Sequence, residues 1–333
     1  MKYLLNSLFI ALAILLFSCG GNDSPKTSKA ENKATPTINI PDFNADSAYK
    51  YVADQVAFGP RVPNTPAHDA CAKYLSGKLN EFADTVVVQK FKIRAYDGTI
   101  LNGKNIIGSI NPQAKKRIFI SAHWDSRPYA DNDPDPANHR TPIDAANDGA
   151  SGVGVILEIA RQMGLSKPNI GVDYIFFDTE DYGPPMDSPK RGQGEYWGLG
   201  AQYWSKNLHD PDYSPHYGIL LDMVGAKDAT FYMEGFSMEY ASHILKKVWN
   251  TGKELGYGEY FLFENGGYID DDHKYINEIA KIPTIDIIHL SKDTPGNSFF
   301  KYWHTIGDNM STIDKNTLKV VGQTLLTVSY REK

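Results

Sequence analysis

The 333-residue sequence has little cysteine, no excess of positive charge and no phosphate-binding glycine motif. Two cysteines are too few for the disulfide framework that stabilises small secreted proteins. A formal net charge of −6, without interleaved basic and aromatic residues, argues against nucleic acid as a partner. Glycines at positions 149, 152 and 154 match neither the dinucleotide nor the phosphate-loop fingerprint, so no nucleotide cofactor is expected.

The N-terminus is typical of an export signal rather than of a folded segment. Residues 1–18 combine Lys2, a short apolar run and small residues at the end, which predicts a signal peptide. Residues 16–19 (LFSC) resemble a bacterial lipobox, in which cleavage precedes a cysteine that is then lipidated. Cys19 would then anchor the protein to a bacterial membrane, outside the cytoplasm and facing the periplasm, and residues 19–41 would be its flexible tether. The alternative is a plain signal peptide that releases a soluble protein.

Lipidation of Cys19 would leave Cys71 without a partner, so no internal disulfide is expected. Cys71 lies in a stretch of helical periodicity and is predicted to be a small buried apolar residue rather than a nucleophile.

Residues 42–333 are predicted to form a single α/β domain. Apolar periodicity predicts helices at 46–58, 67–82, 153–163, 200–208, 238–255, 271–279 and 315–329. Strands are predicted at 85–93, 104–110, 117–122, 216–223, 230–234 and 283–290, and in the apolar run from residue 172. The alternation predicts three layers, with a central, mostly parallel mixed sheet and helices on both faces. Residues 131–141, rich in Asp, Asn and Pro, are predicted to form a surface loop with solvated acids.

The chain is organised around residues 172–183, VDYIFFDTEDYG, an apolar run that ends in Asp178, Glu180 and Asp181. Near-continuous large apolar residues are typical of a strand that is covered on both faces. Carboxylates at the end of such a strand cost desolvation energy, which favours a metal site or proton transfer. The alternative is an ordinary strand end whose acids cap the next helix.

Other runs also end in groups that can bind a metal. His123 follows the predicted strand at 117–122, Asp222 ends the run at 216–223, and His304 lies in the loop after the last strand. Asp148 precedes the helix at 153–163. Ligands of α/β sheets bind outside the carboxyl ends of the strands, so these side chains are expected to converge. They predict a zinc-type site of oxygen and nitrogen ligands with a free position for substrate.

The order and spacing of these motifs resemble the zinc-dependent aminopeptidase superfamily, and most of all its glutaminyl-peptide cyclotransferases, or glutaminyl cyclases. The resemblance covers essentially all of the mature chain. It is carried by FGPRVPNTPAH at 58–68, AHWDS at 122–126, NDGASG at 147–152, the acidic pair at 180–181, LLDMVG at 220–225, DDH at 271–273 and WHTIGDN at 303–309.

The resemblance implies both the metal ligands and the catalytic base. The superfamily's common form binds two zinc ions through positions that match His123, Asp148, Asp181, Asp222 and His304. The cyclase branch resembles this but works with one zinc, held by the positions that match Asp148, Asp181 and His304. In that case His123 would be a supporting residue or a possible ligand of a second metal. Glu180 matches the general base.

This sequence departs from the superfamily's pattern at two positions. Asp181 stands where Glu is usual, so its shorter side chain requires the metal or the backbone to shift. Asp271 stands where the peptidases tend to have Ser, and the extra acid matches the cyclase pattern, in which it hydrogen-bonds to a neighbouring acid.

The implied reaction converts an N-terminal glutamine of a peptide or protein to pyroglutamate with release of ammonia. Asp222 and Asp271 would act with Glu180 as a carboxylate network. Trp303, Phe299 and Trp197 would wall the substrate pocket, unless these aromatic residues only pack in the core. Two other functions remain open: a two-zinc aminopeptidase, and a catalytically silent lipoprotein that only binds peptides.

Overall fold

The computed structural model of the chain describes residues 39–291 and 299–333. The predicted signal peptide, Cys19 and the tether up to residue 38 lie outside the described residues. Ile38–Lys333 forms one compact unit. Among the residues that the structure describes, no helix is both long enough and apolar enough to cross a membrane.

Within residues 39–291 and 299–333, eight strands lie in one large sheet and one small sheet. The strands are β1 (Thr85–Arg94), β2 (Ile100–Ile110), β3 (Arg117–His123), β4 (Gly171–Phe177), β5 (Gly218–Asp222), β6 (Phe231–Met233), β7 (Phe261–Asn265) and β8 (Thr284–Ile288). The large sheet has the order β1-β2-β4-β3-β5-β8. Its strands β4, β3, β5 and β8 are parallel, and β1 and β2 extend it as antiparallel strands. The prediction of a mostly parallel mixed sheet is confirmed.

Helices cover both faces of this sheet. They are α1 (Ala45–Val56), α2 (Pro66–Phe82), α3 (Ala150–Leu165), α4 (Leu199–Lys206), α5 (Gly235–Glu254), α6 (Asp272–Tyr275) and α7 (Lys315–Arg331). Ile118 and Ile120 of β3 pack in a core with residues of α1, α2, α3 and α7, whereas Phe119 packs in a second core with Trp204 of α4. Successive side chains of a strand point to opposite faces. The two cores therefore lie on opposite faces of the sheet, each between the sheet and a layer of helices in a three-layer fold.

The start of α3 lies very close to the sheet. Gly149, immediately before the helix, has φ of +109°, a conformation that residues with a side chain rarely adopt. At Gly152, a Cβ atom would lie 2.6 Å from the carbonyl oxygen of Leu221 and 2.8 Å from Cβ of Ala122. This close approach places Asp148 beside the ends of β3 and β5.

Gly152→Ala is therefore expected to destabilise the protein by ~1–3 kcal/mol, because the added methyl group overpacks a rigid backbone contact. Gly77→Ala is the matched control, since nothing lies within 4 Å of the Cβ position of this other helical glycine. The control should be neutral or stabilising by up to ~1 kcal/mol. Urea denaturation of both variants measures the difference, and equal stabilities would contradict the packing account.

One expectation about local structure is wrong, and two predicted elements are present but differ in detail. Asp131 and Asp133 are buried rather than solvated, because Asp131 pairs with Arg127 at 2.7 Å and Asp133 accepts a hydrogen bond from the Ile306 N–H at 3.1 Å. The predicted helix at 271–279 is the single turn α6 followed by a π-helical turn, Ile276–Ala280. The predicted strand at 230–234 is β6, which pairs with β7 in the small sheet, and β7 was not predicted because its five residues show no clear alternation.

Candidate metal centre and active-site cleft

The candidate site lies at the carboxyl ends of the central parallel strands. His123 is the last residue of β3 and Asp222 is the last residue of β5. Glu180 and Asp181 follow the end of β4 after a turn in which Thr179 has φ of +58°. A positive φ is unusual for threonine, and such strained turns cluster at functional sites. The turn directs two successive carboxylates over the edge of the sheet.

Asp148, Asp181 and His304 form a buried cluster of three groups that could hold a metal ion. Their nearest ligand atoms all lie within 4.8 Å of one another. His304 Nε2 lies 3.2 Å from Asp181 Oδ1 and 3.7 Å from Asp148 Oδ2. Asp148 Oδ2 and Asp181 Oδ2 are buried without a hydrogen-bond partner. Buried carboxylate oxygens without partners are costly, so two acids and one imidazole in this arrangement fit a zinc ion.

A second cluster shares Asp148 with the first. His123 Nε2 lies 3.1 Å from Asp148 Oδ1 and 3.4 Å from Asp222 Oδ1. These three residues are buried and could also hold a metal ion. The structure thus brings together all five side chains of the two-zinc pattern, with Asp148 between the two clusters.

Glu180 lies against both clusters. Its Oε2 atom is 3.9 Å from His123 Nδ1, and its side chain is 12% exposed. Asp125 fixes the local backbone, since its two oxygens accept hydrogen bonds from the N–H groups of Glu180 and Asp181 at 3.0 and 3.2 Å. Burial, and then the neighbouring charge of Asp181, raise the pKa of Glu180 well above its usual value. A carboxylate with a raised pKa, held at the edge of the cleft, is suited to proton transfer.

Behind Glu180 lies a group of buried acids that extends to β8. Burial raises the pKa of Asp222 to about 7 and also raises that of Asp271. Asp286 of β8 is fully buried, and burial followed by the charges of Asp271 and Asp222 raises its pKa well above the usual value. His273 Nε2 lies 2.8 Å from Glu234 Oε2, and its Nδ1 lies 3.8 Å from Asp286 Oδ2.

Sequence reasoning missed Asp286, Glu234 and the role of His273 in this group. The signal that was available is the acid within the otherwise apolar strand TIDII, since an acid inside a buried strand requires polar partners.

Aromatic side chains close the cleft, which has a volume of ≈ 460 Å³. Trp197, Phe299 and Trp303 line it together with the first metal cluster, Glu180, Asp222 and Asp271. The Trp303 ring stacks on His304 with centroids 3.8 Å apart, and the Phe299 ring lies 4.5 Å from that of Trp303. The structure therefore places the side chains predicted for the active site along one cleft, except that of His123, which is buried against Asp148 and Asp222.

Asp178 and Cys71 are not part of the active site, as the apolar residues around them in the sequence indicate. Asp178 is buried and both of its oxygens lie 2.8 Å from His68 Nε2, so it supports the structure from within the apolar run. Cys71 is fully buried, and burial raises the pKa of its thiol to about 12, which is unfavourable for a nucleophile. Cys71 is a free cysteine, and Cys19, the other cysteine of the chain, lies outside the described residues.

The fold is shared with solved zinc-dependent enzymes. Residues 105–329 match the family described as peptidase family M28. The chain therefore belongs to peptidase family M28.

Several similar proteins are more specific than the family match. The glutaminyl cyclase of Bacteroides thetaiotaomicron, solved with bound N-acetylhistamine, is 55% identical to this chain and has a TM-score of 0.85. The match covers 89% of this chain and 100% of the cyclase chain. A Zn-dependent exopeptidase from Parabacteroides distasonis is 54% identical, covers 88% and 100%, and also has a TM-score of 0.85. The glutaminyl-peptide cyclotransferase of Drosophila melanogaster is 26% identical over 78% of this chain and 73% of that relative. These similarities confirm the resemblance to the glutaminyl cyclases.

Proposed function

We propose that this protein is a glutaminyl-peptide cyclotransferase, which converts the N-terminal glutamine of peptides and proteins to pyroglutamate and ammonia. The observation that carries the proposal is the position of Glu180, a largely buried carboxylate that lines the same cleft as Asp271 and the cluster of Asp148, Asp181 and His304. The similarity to glutaminyl cyclases supports the same reaction.

The first cluster would hold one zinc ion through Asp148, Asp181 and His304. The bound ion would supply a Lewis acid for the side-chain amide carbonyl of the substrate. In this proposal one zinc ion is bound per chain, and His123, which contacts both Asp148 and Asp222, is a supporting residue. The reaction needs no water nucleophile, and therefore needs no second ion to activate water.

Glu180 would move the proton in this reaction. The α-amine attacks the side-chain amide carbon, so one carbon–nitrogen bond forms and the bond to the leaving nitrogen breaks. Glu180 accepts a proton from the attacking nitrogen and donates it to the departing ammonia. Burial and the charges of Asp181, Asp271 and Asp272 raise the pKa of Glu180, because like charges disfavour its ionised form.

The aromatic walls would orient the glutamine side chain and exclude water. Trp303 stacks on His304, Phe299 packs against Trp303, and the Trp197 ring lies 6.3 Å from that of His304 in the same cleft. A bent glutamine held between such rings approaches the geometry of ring closure, which lowers the entropic part of the barrier. Exclusion of water also favours cyclisation over hydrolysis.

The pH dependence of the reaction tests the carboxylate network. Glu180 must be ionised to accept a proton, so kcat/KM is expected to fall as the pH falls through its raised pKa. The charge of Asp271 contributes to that rise, so Asp271→Asn should shift the acidic limb of the profile to lower pH. Asp46→Asn is the matched control, because the Asp46 side chain is 80% exposed, pairs with Lys315 and does not line the cleft. An unshifted limb in the Asp271 variant would contradict the proposed coupling.

A two-zinc aminopeptidase is the alternative that a specific observation favours. The His123, Asp148 and Asp222 cluster has the composition of a second metal site. Metal analysis of purified protein distinguishes the two: about one zinc per chain supports the cyclase, and two zinc ions with release of free amino acids supports the peptidase.

The cyclisation assay tests the proposed function itself. A peptide that begins with glutamine should release ammonia and become resistant to N-terminal sequencing. A peptide that begins with leucine should remain intact.

We also propose that residues 42–333 are the catalytic domain of a lipoprotein. In this proposal, residues 1–18 are removed, Cys19 carries the lipid, and residues 19–41 tether the domain to a bacterial membrane on its periplasmic side. Fractionation of cells tests this: the protein should be in the membrane fraction, and Cys19→Ala should lose the lipid. A lipid-free wild-type protein would contradict the anchor.

A further inference from the structure

A buried ion pair of Arg127 and Asp131 lies immediately outside the candidate zinc site. Both side chains are buried, and the guanidinium donates two parallel hydrogen bonds to the carboxylate, Nε to Oδ1 at 2.8 Å and Nη2 to Oδ2 at 2.7 Å. Bidentate pairs of this kind fix the orientation of both partners. None of the sequence motifs that carry the family resemblance explains why a full charge pair is buried here.

Asp131, the acidic member of the pair, contacts His304. Asp131 Oδ1 lies 3.5 Å from His304 Nδ1, and the N–H of the next residue, Asn132, donates to the His304 carbonyl oxygen at 3.0 Å. His304 has φ of +55°, which is unfavourable for histidine and requires such support. A carboxylate beside Nδ1 favours a proton on that nitrogen and leaves Nε2 free to face Asp148 and Asp181.

Arg127, the basic member of the pair, contacts Asp181. Arg127 Nη1 donates to the backbone carbonyl oxygen of Asp181 at 3.1 Å and lies 3.4 Å from its Oδ1. Asp181 Oδ2 remains buried without a partner, so the contact leaves that oxygen available to the ion. The same guanidinium lies 4.9 Å from the centroid of the Trp197 ring, on a wall of the cleft.

We propose that Arg127 and Asp131 are positioning residues that fix Asp181, His304 and Trp197 relative to one another. The pair sets the affinity of the site for zinc and joins the metal centre to the wall of the substrate pocket. Arg127 has the larger effect on Asp181. Because the aspartate side chain is short, the position of its carboxylate depends strongly on the position of its backbone. The inference rests on the proposed zinc site, but not on which reaction that site catalyses.

Two conservative variants test the proposal. Arg127→Lys keeps the charge but cannot make the bidentate pair and the contacts to Asp181 together. Asp131→Asn keeps the shape but removes the charge beside His304. Each is expected to weaken zinc binding by about 10- to 100-fold, as loss of an outer-sphere partner of a metal ligand usually does. Competition with a chromogenic chelator measures the dissociation constant of zinc.

Cobalt substitution and thermal unfolding separate positioning from general destabilisation. The visible spectrum of the cobalt-loaded variants should shift because His304 and Asp181 reorient. The Tm of the metal-free variants should fall, because each change leaves a buried charge incompletely paired, so zinc affinity and spectra are compared at a temperature at which every variant is folded. Arg140→Gln is the control, since Arg140 pairs with Asp187 on the surface and both side chains are more than half exposed, at 59% and 69%. This variant should keep the wild-type zinc affinity and spectrum.

The possible outcomes are distinguishable. Folded variants with the zinc affinity and cobalt spectrum of the wild type would overturn the proposal. A lowered Tm with unchanged zinc affinity would also overturn it, because the pair would then serve only the fold. If wild-type protein binds no zinc at all, the proposed function fails first.

Discussion

Glu180→Gln is expected to lower kcat for a peptide with N-terminal glutamine by roughly 10²- to 10⁴-fold, the usual contribution of a general base. The amide is nearly isosteric with the carboxylate but cannot accept the proton of the attacking amine. The zinc content should not change, because Glu180 is not one of the three residues of the proposed zinc site. Steady-state kinetics and metal analysis on the same preparation measure both quantities.

Glu259→Gln is the matched control for this result, because Glu259 is exposed and lies outside the cleft. It should keep the wild-type kcat. Full activity in the Glu180 variant would show that another group transfers the proton. A wild-type protein that binds such peptides without converting them would support a peptide-binding lipoprotein.

His304→Ala is expected to remove both zinc and activity. Loss of one of three ligands should weaken zinc binding by more than the ~10- to 100-fold that loss of an outer-sphere partner causes. His289→Ala is the matched control, because His289 is also buried, at 5% exposure, but belongs to neither metal cluster. This control should retain zinc. Equal zinc contents in the two variants would contradict the assignment of His304.

His123→Ala distinguishes one zinc ion from two. In the proposed cyclase, His123 supports Asp148 and Asp222, so the variant should still hold about one zinc per chain. In the aminopeptidase, the same substitution should reduce two ions to one. Metal analysis after gel filtration, at equal protein concentration, measures the count.

The sequence predicted the sheet because local pattern and global fold agree in its central strands. The apolar run that ends at Asp178 requires cover on both faces, and the structure supplies a core on each side of β4. The site was predictable for a related reason: ligand side chains follow the ends of parallel strands, and those ends meet at one edge of the sheet.

What the sequence could not show is which polar groups meet inside the protein. Asp131 belongs to a loop whose composition indicates solvation, and only the fold brings Arg127 and His304 to it. Asp286 is a single acid in an apolar strand. Its neighbour His273 belongs to α6, and its neighbour Asp271 immediately precedes that helix. Such contacts depend on the packing of distant elements, which periodicity does not encode.

One competition experiment tests the central proposal most directly. Zinc-loaded protein is incubated with an equimolar mixture of two peptides that differ only in N-terminal glutamine or leucine, and the products are followed by mass spectrometry. The proposed function predicts that the glutamine peptide loses one ammonia and keeps all of its residues, while the leucine peptide is unchanged. Release of free leucine together with an unmodified glutamine peptide would contradict it.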